Sequence, residues 1–164
     1  VKKRGGTPAE KSARIMVVGD QIDDTALIEI IEKAGARMVM DDISIGSKIY
    51  WPDIEVTQNP IDGIAERYLR KIKLPTTYRD TEETYQDQLE ERFGHIRQFI
   101  KDFRVDGAIL FIYKYCDPYG FEVPATKTYI ESLGTPVLYL EEEYSTSTFG
   151  RLKTRIEAFL EMIA

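Results

Sequence analysis

The residue in this sequence best suited to chemistry is Cys116, the only cysteine, in the stretch Lys114-Tyr115-Cys116-Asp117-Pro118-Tyr119-Gly120. A cysteine reacts as its thiolate, as a nucleophile or as a ligand for a soft metal, and either role needs negative charge stabilised on the sulfur. The stretch follows Ala108-Ile109-Leu110-Phe111-Ile112, the most apolar run in the chain, and Pro118 suits the first turn of a helix. A cysteine between a strand end and a helix start has backbone N–H groups pointing back at it, which favours the thiolate. The competing reading is a cysteine packed as a small hydrophobe. The residues alone leave both open.

Other chemistry-bearing residues are sparse. The one histidine, His95, falls inside a long helical stretch with no evident reason to face Cys116, and reads as solvated or half-buried rather than as its base. A metal site needs three or four ligands, so any thiolate-bound metal must be completed from outside this chain. Gly19-Asp20 closes a second apolar run where a dinucleotide fold would carry its glycines, but Gly19-Asp20-Gln21-Ile22-Asp23-Asp24 holds one glycine and three acids. Neither G-x-G-x-x-G nor G-x-x-x-x-G-K-[ST] occurs, which disfavours conventional nucleotide binding. Gly19 and Asp20 remain candidates for a polar crevice. Asp23 and Asp24 read as helix caps, Glu141-Glu142-Glu143 as a solvated loop, and no catalytic residue is assigned.

The elements that position these residues follow from periodicity. Ile15-Met16-Val17-Val18 reads as a strand buried on both faces, and Leu27, Ile30, Ile31 and Ala34 as one face of a helix that Gly35 closes. Arg37 to Met40 returns as strand two. Asp41 to Asp80 reads as irregular, interrupted by Gly46, Pro52, Pro60 and Pro75, with a helix from about Ile61 to Lys71. Tyr85, Leu89, Ile96, Ile100 and Phe103 keep helical spacing in a long helix from about Glu82 to Arg104 that lies across the sheet. Strand three runs through Ala108 to Ile112, a helix from about Phe121 to Leu133 leads to strand four at Val137 to Leu140, and a last helix enters through Ser145 to Thr148. Its buried face is Leu152, Ile156, Phe159, Leu160 and Ile163. The expected fold is α/β: a doubly wound, flavodoxin-like or Rossmann-like sheet of four parallel strands in the order 2-1-3-4, with helices on both faces. In that order the winding reverses between strands one and three, so the crevice beyond their carboxyl ends is bordered by Gly19-Asp20 and by Cys116-Asp117.

Composition sets limits on the rest. With 164 residues, of which 43% are hydrophobic, the chain accommodates one core; residues 1–13 read as a linker and 14–164 as a single domain, cut from a longer subunit at an interdomain joint. A net charge of −6 removes the electrostatic drive toward nucleic acid. No apolar run approaches the roughly 18 residues that span a bilayer. With a lone cysteine and no secretion signal, the expected setting is the cytoplasm.

At Lys114 to Gly120 the sequence resembles the 2-hydroxyacyl-CoA dehydratase and benzoyl-CoA reductase superfamily, in the carboxyl-terminal domain of a subunit. The likeness continues in Asp41-Asp42 with Gly46-Ser47, in Ala65-Glu66-Arg67-Tyr68-Leu69, in Val105-Asp106-Gly107, in Gly134-Thr135-Pro136-Val137-Leu138 with Glu141 and Tyr144-Ser145, and in Arg151 to Leu160. Nearly everything from Arg14 onward is covered, in the family's order. One departure is Lys73-Leu74-Pro75-Thr76-Thr77, where many relatives carry a Cys-Pro pair.

The resemblance implies an iron-sulfur cluster, of the four-iron four-sulfur kind, held by three cysteines of which Cys116 matches the last and the other two lie outside this chain. Asp117, Pro118 and Gly120 are then expected beside the cluster, with Gly19, Asp20, Gly46 and Ser47 as crevice candidates. The implied partners are the amino-terminal part of the same subunit, a sister subunit in a heterodimer, an ATP-dependent activator protein that donates one electron, and a CoA thioester substrate. The dehydratases reduce that thioester to a ketyl radical and lose its hydroxyl; a reductase branch acts on an aromatic ring, and a further branch carries a double-cubane cluster. An alternative within the family is a non-catalytic subunit that binds a partner or stores electrons. In every case this stretch by itself is expected to be inactive.

Overall fold

The computed structural model describes residues 12–23, 25–77, 84–144 and 149–163. Four strands, β1 (Arg14–Gly19), β2 (Arg37–Ile43), β3 (Gly107–Tyr113) and β4 (Val137–Glu142), form one parallel sheet in the order β2-β1-β3-β4. The expected fold and strand order are therefore borne out. β1 and β3 are central and buried on both faces, which explains why their sequences are continuous apolar runs rather than alternating ones.

The two-residue period of each strand divides these runs between two cores. Ile15, Val17, Ile109 and Phe111 face α1 (Ala26–Lys33) and α6 (Phe149–Ile163), where they meet Leu27, Ile31, Leu152, Ile156 and Phe159. Met16, Val18, Ala108 and Leu110 face α4 (Tyr85–Asp102) and α5 (Asp117–Ser132), where they meet Leu89, Phe93, Ile96, Phe99 and Ile130. Each of these apolar side chains contributes about 1.5–3 kcal/mol by leaving water, so the sheet is clamped from both sides. On α4, Phe93 and Phe99 join Leu89 and Ile96 on the buried face, while Tyr85 lies in solvent, 66% exposed.

Two strands run further than their apolar stretches. β2 continues through Asp41 and Asp42 to Ile43, and β4 through Glu141 and Glu142. The carboxylates at these ends have partners that make strand positions tolerable. Glu142 is 2% exposed and accepts from the largely exposed Arg151 of α6 at 2.6 Å, so the expected solvated acidic loop is corrected at Glu142, a buried strand-end residue, while Glu141 and Glu143 are exposed. The expected capping of α1 is also corrected: the N-cap position is Thr25, and Asp23 instead accepts from the Tyr144 hydroxyl. Asp24, the Ser145–Thr148 entry to α6 and residues 1–11 of the expected linker lie outside the described residues.

Between β2 and α4 the chain makes α2 (Ser47–Tyr50), an extended stretch, and α3 (Pro60–Glu66), which continues as a π-helical turn over Arg67–Lys71. Asn59 caps α3 by accepting from Ile61 N–H at 3.2 Å, with Pro60 in the first turn. α5 begins at Asp117, four residues before its expected start, and carries Pro124 in its interior. Among the described residues no helix is long and apolar enough to cross a membrane.

Candidate functional site

β3 ends at Tyr113, and the chain must turn within three residues to enter α5. Cys116 N–H donates to Tyr113 O at 3.2 Å, closing that turn, and Tyr115 takes φ +69° at its third position. Such a turn ordinarily carries glycine there, because a left-handed L-residue brings Cβ against its own carbonyl. Tyr115 accepts that strain with its ring 90% exposed. Lys114 anchors the turn laterally, its N–H donating to Glu142 O at 2.8 Å and its ammonium pairing with Glu143 at 3.0 Å.

Cys116 is thereby the N-cap residue of α5 and lies half-buried on the wall of an open depression of about 240 Å³. Asp117, Gly120, Phe121 and Glu141 line the same depression. Pro118 lies in the first turn of α5 and starts the helix rather than lining the hollow. A Cβ added at Gly120 would meet open space, so a side chain there would be accommodated without a clash.

The electrostatics of the thiol differ from the expectation of a favoured thiolate. Burial pushes the Cys116 thiol up, and the Asp20 carboxylate facing it and the Asp117 charge push it further. The Tyr119 N–H at the start of α5 acts the other way but does not close the cap hydrogen bond that a serine would make there. In the chain alone the sulfur is held as a thiol. Asp20 reaches it because Gly19, at φ +132°, lets the end of β1 pass so close to β3 that a Cβ there would lie 2.1 Å from Phe111 O. Asp20 N–H donates to that same oxygen at 3.0 Å.

Gly46 and Ser47 belong to a second place, beyond the end of β2. Asp42, 1% exposed, pairs with Lys48 at 2.8 Å and with His95 Nε2 at 3.0 Å. Burial pushes the Asp42 carboxyl up, but the charges and hydrogen bonds of Lys48 and His95 more than offset it and hold the group well below the usual carboxylate range. His95 is half-buried in α4, as expected, and its Nε2 meets a buried carboxylate, a partner that the sequence did not show. Ser47, Lys48, Trp51, His95 and Phe99 line a cavity of about 110 Å³ beside this cluster. Gly46 caps α2 at a spot where a Cβ would meet Asp41 Oδ1 at 2.1 Å, while Asp41 accepts from Ser47 N–H at 2.7 Å. No local pattern marks the Asp42–His95 pair, whose members lie 53 residues apart.

The two places are joined through Tyr119. Its ring is buried and its hydroxyl lies 2.5 Å from Ser44 Oγ, tying the first turn of α5 to the residue that follows β2. Burial pushes the Tyr119 phenol well above its ordinary value, with the Asp42 and Asp20 charges adding to it and the Ser44 bond opposing. Among the described residues, no three His, Cys, Asp or Glu side chains converge to hold a metal ion. At Cys116 the described residues supply one sulfur and one N–H donor, that of Tyr119, so a metal group held there would need its other ligands from outside them.

Fold and site together define a doubly wound α/β domain that presents a single thiol at its switch point. Sequence comparison gives the family: the model of the 2-hydroxyglutaryl-CoA dehydratase D-component family matches residues 1–163, and the chain belongs to that family. It is 27% identical over 150 residues to the (R)-phenyllactyl-CoA dehydratase beta subunit of Clostridium sporogenes, covering 92% of this chain and 38% of that protein. It is 27% identical over 161 residues to the putative dehydratase subunit YjiM of Escherichia coli K12, covering 96% and 39%. With the beta subunit of (R)-2-hydroxyglutaryl-CoA dehydratase from Acidaminococcus fermentans it shares 22% over 165 residues, covering 99% and 42%. The chain spans about two-fifths of the length of these curated relatives.

Proposed function

We propose that this chain is the part of a 2-hydroxyacyl-CoA dehydratase subunit that supplies one thiolate, Cys116, to an iron-sulfur cluster whose other ligands come from elsewhere in the subunit. The observation that carries the reading is the setting of the sulfur. A tight turn out of β3 ends on it, α5 begins from it, and a depression of about 240 Å³ opens in front of it. When bound, such a cluster supplies a low-potential electron to a CoA thioester, the chemistry by which a 2-hydroxyl group is expelled.

The chain's own residues have definite tasks in that reading. Cys116 would hold the group as a thiolate, and Asp20 is the carboxylate that its thiol meets in the chain alone. The Tyr119 N–H then faces a charged sulfur, and donors of this kind tune a cluster's potential. Tyr115 and Phe121, 90% and 85% exposed, border the depression and keep water from the sulfur once the rest of the subunit covers them. The reading brings a companion subunit and an ATP-dependent electron donor as partners.

The test is iron and acid-labile sulfide in the full-length subunit, reconstituted without oxygen, beside its Cys116→Ala variant. Loss of the cluster and its spectrum in the variant is the expected result. Equal iron and identical spectra would make Cys116 a packing residue and the domain a partner-binding module.

A further inference from the structure

Three carboxylates from three separate elements gather at Cys116. Asp117, the first residue of α5, and Glu141 of β4 line the depression with it, and Asp20, just beyond β1, meets its thiol. The described residues that line the depression include no lysine, arginine or histidine. The cations at this end of the sheet are committed elsewhere. Side chains alternate along β4, so Glu141 faces the depression while its neighbour Glu142 takes Arg151 of α6 at 2.6 Å. Lys114 pairs with Glu143 at 3.0 Å.

The hydrogen bonds that hold two of these carboxylates bring no charge to cancel theirs. Asp20 accepts from Gln21 N–H at 2.6 Å, and Glu141 accepts from the Tyr139 hydroxyl. The start of α5 acts in the opposite sense, since Cys116 is its N-cap residue. A helix N-terminus carries about half an elementary positive charge, against three whole negative ones. The balance at the sulfur is therefore negative, and it strengthens wherever surrounding protein replaces water and lowers the local dielectric.

We propose that Asp20, Asp117 and Glu141 set a negative field at the Cys116 sulfur, and that this field keeps the reduction potential of a cluster bound there low. The proposal rests on the reading of Cys116 as a cluster ligand. Reduction adds one electron at the site, and fixed negative charge beside it opposes that addition, which is one of the means by which a protein sets such a potential. The three carboxylates do not react. They act through the sulfur, as positioning residues that place charge.

The experiment uses the full-length subunit in two states. Stripped of iron, it is treated at low ionic strength with a cationic and an anionic methanethiosulfonate of similar size, and the rate at Cys116 is followed by mass spectrometry of its peptide. The ratio of the two rates reads the field and cancels the fraction of thiolate. It should fall about threefold or more in Asp20→Asn and in Glu141→Gln, and stay unchanged in Glu32→Gln, which removes an equal charge from the last turns of α1 at the other end of the sheet. Reconstituted without oxygen and titrated under electron paramagnetic resonance, Asp20→Asn and Glu141→Gln should keep their iron and show a midpoint potential shifted upward. An unmoved ratio overturns the proposal, as does an unmoved potential or an equal response from Glu32→Gln. Loss of iron from Asp20→Asn overturns it too, because the carboxylate then holds the group rather than tuning it. The cluster reading fails separately, through Cys116→Ala keeping its iron while the rate ratios stand.

Discussion

The loops that leave β2 and β3 lie two strand spacings apart, roughly 10 Å, at the same end of the sheet, yet they are finished in opposite ways. Beyond β2 the buried charges are paired internally, since Asp42 has Lys48 and His95 and Arg67 has two carbonyls, while the buried Nδ1 of His95 has no hydrogen-bond partner among the described residues. What remains exposed there is mixed, with Ile61 and Leu69 beside Asp62 and Arg70. Beyond β3 the reverse holds, since the backbone turn is closed but a thiol faces an open depression among acidic neighbours. One exit is closed by pairs within the chain; the other leaves a sulfur facing open space.

Asp42→Asn is the strongest way to break this comparison. It leaves the ammonium of Lys48, whose side chain is 7% exposed, without its carboxylate, and removal of one member of a buried pair costs about 3–5 kcal/mol. Urea unfolding measures it; a loss under about 1 kcal/mol, the scale of an exposed pair, would show that the β2 exit is not internally secured. The same substitution at Asp20 should cost about 0.5 kcal/mol or less. The Asp42 pair also fixes a pH dependence. Its folded pKa lies below the unfolded value, so its contribution is complete above about pH 4 and is lost as the pH falls further. Asp42→Asn should flatten that acid limb.

Asp20→Asn sharpens the other half. It removes a charge that raises the Cys116 thiol and leaves a weaker, neutral acceptor, so the pH at which iodoacetamide alkylation of Cys116 is half-maximal should fall. An unmoved profile would mean that burial alone holds the proton. Smallest in effect is Tyr115→Gly, which relieves a left-handed L-residue but adds chain entropy to the unfolded state. The net change should be a gain below about 1 kcal/mol, read from the thermal midpoint; a large loss would show that the exposed ring supports the turn.

Much of this was legible in the sequence, and the reasons are local. Ile15 to Val18 and Ala108 to Ile112 are apolar at every position because both faces of a central strand are covered, and the order of strands follows from the helices between them. Cys116 was legible as a strand-to-helix residue because Pro118 marks where α5 starts. Asp42 and Glu142 were not, since a carboxylate near a strand end looks solvated until its partner is known, and His95 and Arg151 reach them only through tertiary packing. The protonated thiol was hidden for the same reason, because the acidic side of its environment comes from Asp20, nearly a hundred residues away in the sequence.

Pro124, inside α5, has a mechanical consequence. It offers no N–H to the carbonyl of Gly120, so the rung that would couple the first turn to the body of the helix is absent. The turn bearing the sulfur hangs instead on the Gly120 N–H to Cys116 O bond and on the Tyr119 hydroxyl. The helix stays continuous across this gap, and Glu122 in the turn that follows is tied to Arg92 of α4, so the sulfur is held to both sheet-covering helices.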